Sequence, residues 1–148
     1  MFTIYDYISD MIEELPEDMN TGESSTSAGG NLFTTTEDDP EKLRKEEAIT
    51  FHHVTEKLFY ISKRAILDLQ LGVAFLCTRV KDPDKDYWKK LTQVMKYIKS
   101  TIGPPLILGI DDTTTIRWYV DAAFGVHPDM KSHTQMVMTM GQGAASSN

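Results

Sequence analysis

Gly103-Pro104-Pro105 divides this chain more sharply than any other feature it carries. Proline has no N–H to donate and disfavours helix in the residue before it, so neither a helix nor a central strand runs through this point. The hydrophobic period changes across it. Upstream, Phe51, Val54, Leu58, Ile61 and Ala65 recur at steps of three and four, which predicts a helix from residue 50 with a narrow apolar stripe. A second helix is expected from an N-cap at Asp68 through Leu69, Val73, Leu76 and Cys77 to Val80, where Asp82-Pro83-Asp84 breaks it. A third follows, with Trp88, Leu91, Met95 and Ile98 on one face, and stops at Gly103. Each stripe needs the others to cover it, so a small three-helix bundle is the economical arrangement.

Downstream the pattern is strand-like. Residues 106–108 form a short apolar run, and Gly109-Ile110-Asp111-Asp112 reads as a turn. Ile116, Trp118, Tyr119, Val120 and Phe124 are β-formers, His127-Pro128-Asp129 is a second turn signal, and residues 136–140 alternate again. The expected fold class is α+β: the bundle, then an incomplete antiparallel sheet of two or three strands. Such a sheet has an edge and a face to cover.

Charge separates a third region. The net charge is −7, which at first sight disfavours a nucleic-acid binder. Residues 1–47, however, hold 13 Asp/Glu against 3 Lys/Arg, a balance of −10, while residues 48–148 hold 9 against 12, a balance of +3. The acidity belongs to the leader. From residue 21 to 47 the chain is Ser, Thr, Gly, Asp and Glu with Leu32, Phe33 and Leu43 the only large apolar residues, so a disordered acidic linker is expected. Before it, Ile4, Ile8, Met11, Ile12 and Leu15 share a helix face ended by Pro16, a short amphipathic piece with no obvious local partner. The expected divisions are thus 1–19, 20–49, 50–103 and 104–148. The acidic start is the reverse of a secretory signal, and no apolar run of about 18 residues exists, so an intracellular chain without a membrane span is expected. One cysteine, Cys77, excludes a disulfide framework and multi-cysteine zinc sites.

Two sets of residues carry candidate chemistry. At about 100° per residue, Lys85, Lys89, Lys96 and Lys99 fall within about 80° of one another on the third helix, beside its apolar stripe. A stripe of that kind suits a phosphate backbone, although a solvated face is the commoner explanation. Asp121 sits among aromatics in a strand. Two-metal nucleases mount aspartates on strands to hold ions about 4 Å apart, but one carboxylate does not do so alone, and a solvent-facing strand aspartate is the commoner case. His52 and His53 point different ways on a helix; His127 and His133 flank a turn without an evident third ligand. Gly141-Gln142-Gly143 lacks the rest of a nucleotide loop, and Cys77 reads as a core residue.

The residue strings themselves are more specific. Phe51-His52-His53, Lys57-Leu58-Phe59-Tyr60-Ile61-Ser62-Lys63-Arg64-Ala65 and the run from Asp68 through Leu71-Gly72-Val73 to Val80 come first. Asp86-Tyr87-Trp88-Lys89-Lys90-Leu91, Val94-Met95-Lys96-Tyr97-Ile98-Lys99 and Tyr119-Val120-Asp121-Ala122-Ala123-Phe124 follow, then His127-Pro128-Asp129-Met130-Lys131-Ser132-His133-Thr134. In this order they resemble the segment of copia-type LTR retrotransposon polyproteins that follows the reverse transcriptase palm. The leader string Leu15-Pro16-Glu17-Asp18-Met19 resembles the sequence between palm and thumb. The resemblance spans nearly the whole chain.

It implies that residues 1–19 are a remnant of the palm-to-thumb junction, that 50–103 are thumb and connection helices holding a template–primer, and that 104–148 begin an RNase H domain. Lys85, Lys89, Lys96 and Lys99 become phosphate contacts to an RNA–DNA or DNA duplex. Asp121 becomes the first metal-binding aspartate of RNase H, with Mg²⁺ the family's ion. The chain also departs from the pattern. It has no polymerase Asp-Asp hairpin, Asp111-Asp112 lying downstream of the helices, and it ends before the expected RNase H glutamate helix. Gln135 stands where the family has glycine after Ser-His-Thr, which predicts a disturbed strand start. The expectation is a polyprotein fragment, a degenerate remnant without catalysis of its own, with residual nucleic-acid binding. Its natural partners are then the missing palm and RNase H segments, with self-association through apolar surface left uncovered. The alternative is a small helical protein-interaction module with no nucleic-acid role.

Overall fold

The computed structural model describes residues 3–35, 40–103, 109–111, 114–125, 130–142 and 146–147. The fold class is α+β with an incomplete antiparallel sheet, and the chain forms two compact units, Met1–Pro104 and Pro105–Asn148. The expected apolar run at 106–108, the turn at 127–129 and most of the small-residue tail lie outside the described residues.

The first unit holds α1 (Ile4–Glu13), α2 (Lys45–Ser62), α3 (Gln70–Cys77) behind a short 3₁₀ turn at Leu67–Leu69, and α4 (Lys85–Thr101). The periodic residues do what their spacing demands: Phe51, Val54, Leu58, Ile61, Leu69, Val73, Leu76, Leu91, Met95 and Ile98 are all buried in one core. Four boundaries differ from the sequence reading. Helix α2 begins at Lys45, six residues before Phe51 opens the apolar stripe, because the Glu47 carboxylate accepts the Arg44 N–H at 2.9 Å and closes the first turn. It ends at Ser62, short of Ala65, where Arg64 and Ala65 N–H groups both bond back to the Ile61 carbonyl. Asp68 does not cap α3. Its carboxylate accepts the Tyr97 hydroxyl from α4, and its backbone carbonyl accepts the Ser27 hydroxyl. At the far end, Thr78 and Arg79 N–H groups bond to carbonyls three residues back, so α3 stops at Cys77.

Helix α1 has the local partner its sequence did not reveal. Thr3 and Asp6 form a capping box at its start, and Ile8 and Met11 are buried in the core shared with α2. Tyr7 meets Tyr60 at 5.3 Å between ring centres, and Glu14 pairs with Lys57. The segment between α1 and α2 has no helix and no sheet strand among its described residues, only turns, bends and an isolated bridge of Lys42 to Asp84. It is nevertheless pinned by Leu15, Met19 and Leu32, all buried in the same core, and Phe33 meets Phe75 edge-on at 5.4 Å.

Glu47 ties α2 to α4. The Arg44 guanidinium and N–H beside it, with the Lys85 ammonium at 3.0 Å, hold its carboxyl down at about 2, against an ordinary 4.5. Because the folded value is the lower one, its stabilisation is complete above about 4.5 and disappears as pH falls from there through about 2. Glu47→Gln keeps a cap acceptor and removes the titration. The urea midpoints of wild type and variant should therefore converge across that window, and a difference that stays constant would contradict the assignment.

The second unit is a sheet in the order β1-β2-β3, with β1 (Arg117–Ala123) antiparallel to β2 (His133–Thr139) over seven residue pairs. β3 (Ser146–Ser147) adds two pairs on β2. Gln135 does not disturb the strand. It sits in regular register opposite Asp121, and the described non-glycine residue with positive φ in this unit is Met130, before the strand. Gly141 is required where it stands, since a Cβ there would lie 2.4 Å from the Gly109 carbonyl oxygen.

Candidate nucleic-acid interface

Helix α4 is built to present one charged face. The Asp84 carboxylate accepts the N–H groups of Asp86 and Tyr87 at 2.9 Å each, which fixes the first turn after Pro83. Asp86 in the first turn and Lys99 in the last both complement the helix dipole. Tyr87, Trp88, Leu91, Val94, Met95 and Ile98 are then turned into the core, and the lysine stripe lies beside them, with Lys89 exposed and Lys85, Lys96 and Lys99 partly buried.

The four expected lysines have different fates. Lys85 is committed to Glu47 at 3.0 and 3.1 Å. Lys89 is exposed, and Lys96 is half-buried with its chain beside Gly22. These two line an open groove of about 440 Å³ together with Trp88, Gln93, Asp18 and Glu23. Lys99 donates to the backbone carbonyl and the side chain of Asn20. Partial burial, and after it the neighbouring Lys96, push its ammonium below the usual lysine value.

The leader supplies the rest of the groove, a feature the sequence reading missed. Asp18 accepts the Trp88 indole N–H at 2.7 Å, Ser100 donates to the Ser24 carbonyl at 2.8 Å, and Gln93 reaches Thr26 at 3.4 Å. Lys90, on the opposite flank of the helix, was not singled out and is almost fully buried. It pairs with Asp86 at 2.7 Å, donates to the Thr34 carbonyl, and lies 5.5 Å from the Phe75 ring centre and 5.4 Å from that of Tyr87. The signal available for the leader contact was its isolated apolar residues, Met19, Leu32 and Phe33, which a solvated linker does not need.

Asp121 is exposed on β1, and its cross-strand neighbour is Gln135. Among the described residues no three His, Cys, Asp or Glu side chains come together as a metal site. His52 lies 2.9 Å from a Glu56 carboxylate oxygen and His53 lies 4.0 Å from the other, while His127 lies outside the described residues. Cys77 is half-buried; burial and then the Glu56 charge push its thiol up, away from reactivity. No helix among the described residues is long and apolar enough to cross a membrane. No protein-family model, no curated protein and no solved structure matches the chain.

Proposed function

We propose that this chain is a fragment of a copia-type reverse transcriptase–RNase H polyprotein, and that the lysine face of α4 binds the phosphate backbone of a template–primer duplex. The observation that carries the reading is the pairing of Lys89 and Lys96 on one groove, with Lys99 a turn beyond and the indole of Trp88 at the floor. Point charges on a rigid helix, spaced one to two turns apart, contact successive phosphates without reading bases. The ordered series of motifs supports the family reading, and the groove beside Lys89 and Lys96 supports the choice of surface.

Catalysis is not part of the proposal. Mg²⁺ serves intact members of this family, but an exposed Asp121 opposite Gln135 offers a single carboxylate, which does not fit a two-ion centre. The test is binding of the full chain to an RNA–DNA hybrid as a function of salt. The logarithm of the association constant should fall linearly with that of salt, with a slope of about −2 to −3 for two or three phosphate contacts. An absence of binding at low salt, or a slope near zero, would instead favour a protein-interaction module.

A further inference from the structure

We propose that β1 is a homodimerisation edge: two copies of the chain pair their β1 strands antiparallel about a two-fold axis through Tyr119, so that Arg117 of each copy lies opposite Asp121 of the other. The proposal is independent of nucleic-acid binding and rests on the second unit alone. In the sheet order β1-β2-β3, β1 is the outer strand, and no described strand occupies its other side. An edge of this length is a ready template for another strand. Arg117 to Ala122 are all exposed, including Trp118, Tyr119 and Val120, and the strand carries neither lysine nor proline to repel a neighbour.

The register follows from parity and charge. Outward-facing N–H and C=O groups alternate along a strand, so antiparallel self-pairing must match odd residues with odd and even with even. The registers that keep most of β1 in the ladder are centred on residue 119, 120 or 121, and centring on 121 sets Asp121 against its own copy; a centre at 118 keeps less of the strand. Centring on 118 sets Arg117 against Tyr119 and Asp121 against Thr115. Centring on 120 sets Arg117 against Ala123 and Asp121 against Tyr119. The register centred on Tyr119 makes the Arg117–Asp121 pair twice, by symmetry, on one face. On the other face it sets Trp118 against Val120, also twice, an aromatic against a β-branched residue. The surface is thus self-complementary, as an isologous interface must be. Among the described residues Arg117 meets the Asp111 carboxylate at 3.9 Å, the outer limit of an ion pair, so turning to a second copy gives up a weak contact there. Pairing about a two-fold axis uses the β1 edge of both copies, so the contact closes as a dimer.

The test is sedimentation equilibrium of the full chain and three variants. Wild type should show a concentration-dependent monomer–dimer equilibrium. Arg117→Asp and Asp121→Arg each turn two attractive pairs into two repulsive ones and should raise the dimer dissociation constant by roughly tenfold or more. The combined Arg117→Asp/Asp121→Arg variant restores opposite charges and should return most of the way to wild type, which also excludes misfolding as the cause. A monomeric wild type overturns the proposal. So do single variants that dimerise normally, which would place association elsewhere, and a combined variant as weak as the singles.

Discussion

Phe75→Ala is expected to destabilise the helical unit by about 3–5 kcal/mol, a large share of the roughly 5–15 kcal/mol by which native domains are stable. Phe75 is completely buried and is the ring on which three segments meet. Phe33 of the leader packs edge-on against it at 5.4 Å, Tyr87 of α4 meets it at 6.0 Å, and the Arg79 guanidinium lies 5.0 Å from its centre. Truncation removes the transfer energy of the ring and leaves a cavity that two rigid helices do not collapse to fill. It also strips Lys90 of one of the two faces that shelter its ammonium. Phe59 is the control. It lies on α2 at 47% exposure, and Phe59→Ala should move stability by less than about 1 kcal/mol. Urea denaturation followed by helix circular dichroism measures both, and equal losses would mean that the core does not centre on Phe75.

The second large effect concerns binding. Lys89→Glu/Lys96→Glu should weaken association with an RNA–DNA hybrid about 100-fold at low salt and reduce the magnitude of the salt slope by about 2, because two phosphate contacts are lost. Identical binding by this variant would remove α4 from the interface. Asp18 and Glu23 line the same groove from the leader, so their neutralisation should act in the opposite direction. Asp18→Asn/Glu23→Gln keeps an acceptor for the Trp88 indole and removes two negative charges beside the lysines. Affinity should rise roughly five- to tenfold at low salt and the gain should fade as salt screens it. A gain that persisted at high salt would point to a conformational cause instead.

These residues also show what could be read from sequence. The stripes of α2 and α4 were legible because a helix imposes its 3.6-residue period on whatever it buries, and Phe51, Leu58, Leu91 and Ile98 obey it. The same arithmetic put Lys85, Lys89, Lys96 and Lys99 on one face. What it omitted is their partners, since Glu47 is 38 residues from Lys85 and Asn20 is 79 from Lys99. The start of α2 was hidden because Lys45-Glu46-Glu47 carries no apolar signal, although two acids in a first turn are themselves a mark of a helix start. Lys90 was hidden by its charge. Asp86 and Tyr87 are its neighbours on the same helix, but its burial also depends on the Phe75 ring and the Thr34 carbonyl 56 residues away, which no local pattern encodes.

The leader's attachment has a consequence for the order in which the molecule assembles. Its bonds to α4 close loops of 70, 76, 79 and 56 residues, through Asp18–Trp88, Ser24–Ser100, Asn20–Lys99 and Thr34–Lys90. Such closures are entropically slow and gain nothing until the helices that receive them exist. The bundle is therefore expected to form first, with the leader closing onto it afterwards. A segment tied on by closures of this kind should open locally before the bundle does, which native-state hydrogen exchange would show as weaker protection of the leader.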